Sequence, residues 1–125
     1  HTQNFVRIET NTNVQEEILA LQELKTDLKI KEGKFDFNGI IPMPQDIKKG
    51  DNWYDFSRLH WGTKWNAYEV EILQDEDWSL FVSFLTAWDS PRGIVEKIKA
   101  YCNQHHLHLD WTAEHEGEDG IEQIA

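Results

Sequence analysis

A single cysteine, Cys102, rules out a disulfide within the chain. It falls beside apolar neighbours in a helical pattern, where a thiol packs as a small inert hydrophobe. Positive charge is also scarce. Lys and Arg total 12 against 23 Asp and Glu, for a net charge of −11 and a pI near 4.8. Such a chain repels phosphate backbones, and affinity for nucleic acid comes mostly from neutralising them. Nucleic-acid binding is therefore disfavoured, as is docking on an anionic membrane surface. No apolar run reaches the length of a membrane-crossing helix, and no signal-peptide pattern opens the chain. The expected location is the cytoplasm. The acidity has two readings: ordinary solubility, or a surface made for a basic protein partner, including one that handles nucleic acid.

The chemical motifs are sparse too. There is no serine or cysteine nucleophile in a recognisable turn, no phosphate-cradling glycine loop and no paired-carboxylate signature. His105, His106, His108, Asp110, Glu114 and His115 are dense in ligand atoms. They lack the cysteine and histidine spacing of a structural zinc site, and read as surface groups at a helix-to-strand turn. No catalytic residue, no metal and no cofactor is assigned.

Aromatic residues are abundant: six Trp, six Phe and three Tyr in 125 residues. Each buries a large area, enough for the core of one domain over 1–125. Asn4–Glu9 reads as a first strand. Asn13 is placed to cap a helix, with Glu16 three residues on as a capping box requires. Val14, Ile18, Leu21, Leu24 and Leu28 then recur at helical spacing. Residues 29–66 form a long insertion rich in apolar side chains, with short helical turns expected near Pro44–Lys48 and Tyr54–His60. A loop of that length packs down or functions. Tyr68, Val70 and Ile72 alternate with Glu69 and Glu71 as in a half-buried strand. Leu80–Trp88 is apolar on both sides, the mark of a central strand covered on both faces. Ser90-Pro91 opens a second helix, and Leu107–Glu114 alternates again. Residues 121–125 read as a further short strand or a frayed end.

The order strand, helix, insertion, strand, strand, helix, strand predicts an α+β fold of the ferredoxin-like split βαβ kind. It implies a four-stranded antiparallel sheet with two helices on one face. Trp53, Trp61 and Trp65 of the insertion are expected to cover part of the other face. Bare, that face would resemble the base-stacking surface of RNA-recognition domains. Its expected outer residues Glu69, Glu71, Asp110 and Glu114, beside Arg7 and His108, argue against RNA.

Three blocks of sequence are distinctive: Phe35–Pro44, Trp61–Ala67 and Thr86–Pro91. In the same order they resemble the YubB-like family of phage and plasmid proteins, over roughly residues 35–115. The resemblance implies a ferredoxin-like domain and a mobile-element origin. It carries over no catalytic residues, because that family has no established activity. The best functional expectation is a small accessory or interaction protein that binds a host or element protein.

The run from His60 to Glu69 holds the candidate site. Trp61 and Trp65 stand four apart around Gly62 and Lys64. Arg58, His60, Lys64 and Asn66 supply the convergent polar groups that a pocket needs. The pair reads either as a hydrophobic lid or as an aromatic platform for a planar or sugar-like ligand. The second option makes a small-ligand binding domain the alternative function.

Overall fold

The computed structural model describes residues 1–125. In chain order the elements are β1 (Thr2–Thr10), α1 (Gln15–Leu28), α2 (Gln45–Lys49), α3 (Trp53–Phe56), β2 (Tyr68–Glu76), β3 (Ser79–Thr86), α4 (Arg92–Gln104), β4 (Leu107–His115) and β5 (Glu122–Gln123). All strand pairs are antiparallel, in the order β2-β3-β1-β4-β5. The sheet thus has five strands where four were expected, the fifth being only two residues long. No helix is long and apolar enough to cross a membrane.

Side chains alternate across a strand, so the register assigns the faces. Asn4, Val6 and Ile8 of β1 lie opposite Phe84, Val82 and Leu80, and on the other side opposite Ala113, Trp111 and Leu109. Val6, Ile8, Leu80, Val82, Phe84 and Trp111 are buried in one cluster with Leu21, Leu24 and Leu28 of α1 and Ile94, Val95, Ile98 and Cys102 of α4. The Tyr101 hydroxyl ties the two helices together by donating to the Ala20 carbonyl (2.8 Å). Burial pushes the Cys102 thiol up to about 12, so it stays a protonated, unreactive core group.

The start of α1 shows how local chemistry departs from the simplest sequence signal. The expected Asn13 cap is not used. Val14 precedes the first turn without a side-chain cap. Glu17, at the third helical position, instead reaches back to accept from the backbone N–H groups of Asn11 (2.8 Å) and Thr12 (2.9 Å) and from the Thr12 hydroxyl (3.0 Å). The Thr12 N–H leads the interactions that hold this carboxyl below its usual range. Ser90 likewise does not cap α4. Its hydroxyl donates to Asn4 Oδ1 (2.8 Å), and Pro91 takes the cap position.

The insertion lies on the helix side of the sheet, not on the opposite face. Phe35 stacks on Phe84 with centroids 4.5 Å apart and meets Trp111 edge-on at 6.0 Å. Phe37 packs edge-on against both Phe84 and Trp61. The helical turns expected near Pro44–Lys48 and Tyr54–His60 are present as α2, α3 and a π-helical segment at Ser57–Trp61. That segment abuts the start of α4. A Cβ on Gly93 would sit 1.8 Å from the His60 carbonyl oxygen, so only glycine lets the two backbones touch there.

The second face of β3 is therefore covered by no helix. Its apolar look has another cause: long side chains on the neighbouring strands shelter it. Arg7 lies over the Phe81 ring at 4.1 Å and donates to Gln74 across the strand (3.4 Å). Ser83 and Leu85 end up buried between β1 and β2. A shallow groove of about 280 Å³ remains on this face, lined by Phe5, Arg7 and Phe81 and rimmed by Asp110, Glu114 and Ile121.

Candidate functional site

The residues singled out between 58 and 66 separate into structural and surface groups. Trp61 is 3% exposed. Its indole N–H donates to the Ile41 carbonyl (2.9 Å), and its ring meets Phe37 and Phe56 edge-on. Asn66 is a structural bracket. Its Oδ1 accepts from the Phe37 N–H (3.0 Å) and the Ala67 N–H (2.9 Å), and its amide donates to Asp36 (2.8 Å). Burial works against ionisation of Asp36, but hydrogen bonds from Asn66 and Asn38, with Lys29 beside it, hold its carboxyl below the usual range. The His60 ring packs at a tilt against Phe56, centroids 4.5 Å apart. Arg58 is exposed. Trp65 is 45% exposed, with the Lys64 ammonium over its ring at 4.5 Å. Of the two indoles, one belongs to the core and the other to the surface.

The three distinctive blocks form one packed unit. Asn66 and Trp61 of the second block bond to Phe37 and Ile41 of the first. Gly62, with φ of 85°, turns the chain against the Arg92 backbone just beyond the third block. Thr86 closes that third block by donating to the Asp89 carbonyl (2.7 Å).

A different place gathers groups able to bind something. Thr2 lies opposite Thr86 on one side and His115 on the other, so the ends of β3 and β4 flank it. The corner after β3 brings Trp88 and Asp89, the start of α4 brings Arg92, the end of β4 brings His115, the turn after it Glu116 and Glu118, and β5 brings Glu122. Together they line an open cleft of about 650 Å³. Trp88 is 48% exposed, and its ring meets the half-exposed Tyr54 nearly perpendicularly at 5.8 Å. Tyr54 in turn packs edge-on against Trp53. An aromatic ridge thus runs from the insertion to the mouth of the cleft.

The floor of the cleft is a charge network centred on Arg92. Its Nε and Nη2 donate to the two oxygens of Asp89 (both 3.2 Å), and Nη2 also donates to Glu122 (3.1 Å). The Asp89 bonds, first among several, raise the Arg92 pKa. Burial disfavours the Asp89 carboxylate, yet Arg92 and the Ser90 N–H outweigh it and hold its carboxyl below the usual range. Glu122 is lowered as well, by its hydrogen bond to His115 and then by Arg92. His115 has Thr2 at Nδ1 (3.0 Å) and Glu122 at Nε2 (2.6 Å). The N-terminal amine pairs with Glu116 (2.6 Å).

Two familiar chemistries fit this network poorly. Thr2, His115 and Glu122 have the connectivity of a hydroxyl, base and carboxylate. Thr2 is fully buried, however, and its hydroxyl donates to the Trp88 carbonyl (2.6 Å), so no substrate carbon can reach it. Asp89, His115 and Glu122 also offer three ligand atoms within 4.8 Å of one another. The Arg92 guanidinium already bonds both of those carboxylates. What the cleft can do is receive a cationic or polar group beside an exposed indole. Of the other histidines in the ligand-rich run, His105 packs at a tilt against Tyr101 and the His106 carbonyl accepts from Asn11. A scan of family models and searches of curated proteins and of solved structures give no match to this chain.

Proposed function

We propose that this protein is a small acidic interaction module that binds a basic protein partner through the cleft beside Trp88. One observation carries the reading: a half-exposed indole and phenol stand at the mouth of a cleft where Asp89, Glu116, Glu118 and Glu122 outnumber the Arg92 guanidinium. Exposed aromatics in such settings anchor protein interfaces, and a net charge of −11 steers basic partners toward them. The ferredoxin-like description belongs to this proposal. Its support is the element order β1–α1–β2–β3–α4–β4 with the four long strands arranged β2-β3-β1-β4. The mobile-element origin and the cytoplasmic location belong to it too, and the origin rests on the three sequence blocks alone. Support for the small-ligand alternative shrinks to Trp65 and Lys64, since Trp61 is buried.

Calorimetric titration of the full chain with a lysine- and arginine-rich peptide, and with a glutamate-rich one of equal length, tests the reading. The basic peptide binds, and binding weakens as salt is raised, because exposed charges are screened. Equal binding of both peptides, or affinity indifferent to salt, overturns it.

A further inference from the structure

The aromatic ridge says more about what the cleft takes than net charge does. Trp88 and Tyr54 are large apolar groups left partly in water, and they adjoin each other. Carboxylates alone would attract any cation. An indole face beside carboxylates discriminates among cations, because a planar guanidinium both stacks on the ring and donates in a fork to a carboxylate. A lysine ammonium is a compact, strongly hydrated point charge that does neither as well. The cleft already holds one example of the geometry: Asp89 accepts from Arg92 through both of its oxygens. Asp89 and Glu122 are occupied by that internal arginine, while Glu118, on the same cleft, has no ion-pair partner.

We propose, resting on the interaction-module reading above, that the ridge of Trp88 and Tyr54 docks an arginine side chain of the partner protein, the guanidinium lying on the Trp88 indole and donating to Glu118. Charge complementarity selects the occupant. The rim is acidic, which repels phosphate-bearing ligands and opposes docking of the same rim on a second copy of this chain.

The test uses the full chain and three peptides of one sequence, bearing arginine, lysine or uncharged citrulline at the same positions. Binding is followed calorimetrically at fixed salt. The arginine peptide binds about three- to tenfold more tightly than the lysine peptide, the range of a cation–π contact that is partly desolvated. The citrulline peptide does not bind measurably. Trp88→Ala removes the arginine preference, bringing the two basic peptides to equal affinity, whereas Trp65→Ala, at another exposed indole, one that Lys64 covers, leaves the preference intact. Circular dichroism confirms that both variants fold, and Trp88→Phe, which keeps a ring, retains part of the preference. Equal affinity for arginine and lysine peptides in the parent protein, with salt dependence preserved, overturns the arginine inference while leaving the basic-partner reading in place. Absence of binding by either basic peptide overturns both. Binding of the citrulline peptide as tightly as the arginine one, or self-association that Trp88→Ala abolishes, also overturns the arginine inference.

Discussion

Replacing Trp61 with alanine tests whether the insertion is part of the core. The side chain is almost wholly buried, touches Phe37 and Phe56 edge-on, and satisfies the Ile41 carbonyl through its indole N–H. Truncating a buried Trp costs about 3–5 kcal/mol in lost transfer energy and cavity formation. Leaving the Ile41 carbonyl without its donor adds about 1 kcal/mol or more. Against a total stability of about 5–15 kcal/mol for a domain, that loss is a large share. With a urea slope of about 1–3 kcal/mol per molar, the unfolding midpoint falls by about 2 M. Trp65→Ala is the control. Its half-exposed ring contributes a cation–π contact with Lys64 of about 0.5–1 kcal/mol, so its midpoint moves by a few tenths of a molar. Equilibrium urea unfolding monitored by far-ultraviolet circular dichroism measures both. Equal, small shifts for the two variants would refute the placement of Trp61 in the core.

Gly93→Ala forces a Cβ toward the His60 carbonyl oxygen, 1.8 Å away, and separates α4 from the Ser57–Trp61 segment. The expected loss is about 3 kcal/mol, at the upper end for overpacking, seen as a lower thermal midpoint. Asn66→Ala strands the Phe37 and Ala67 N–H groups and removes one of several donors to Asp36, at about 1–3 kcal/mol for an unsatisfied buried group, measured by the same urea unfolding. Acid should weaken the protein through Asp89, Glu122 and Asp36, whose folded carboxyls lie below their usual range. Lowered folded pKa values give stability that is complete above the unfolded values near pH 4 and is lost as pH falls through the folded ones. Stability measured from neutral to acid pH therefore declines below about pH 5, and Asp89→Asn flattens the decline.

The long elements were legible because their periodicity is strong. β1, α1, α4 and β4 announce themselves by spacing, and the helical turns of the insertion by local composition. What could not be read was which face each apolar side serves. Phe81 and Leu85 look like core residues, yet they shelter under Arg7, Gln74 and the strands beside them. That ambiguity points the aromatic insertion toward a face that needs no cover, whereas Phe35 and Phe37 complete the helix-side core. Caps shifted for a similar reason. Glu17 finds two backbone donors that Glu16 cannot serve, and Ser90 is drawn to the buried Asn4. The Trp88 cleft was the least legible feature. Trp88 read as the end of an apolar strand, while His115 reaches the cleft only through the pairing of Thr2 with two strands at once, and Glu122 only through the pairing of β5 with β4. A Trp-Asp pair just before a helix start was the available signal.

The division of the indoles between core and cleft can be observed directly. The six tryptophan side-chain N–H signals in a nitrogen-15-labelled sample can be followed during titration with the arginine peptide. A binding site at Trp88 requires its signal to move while those of the buried Trp61 and Trp111 stay fixed. Movement of the Trp61 signal with Trp88 unchanged would contradict it, returning the binding site to the insertion.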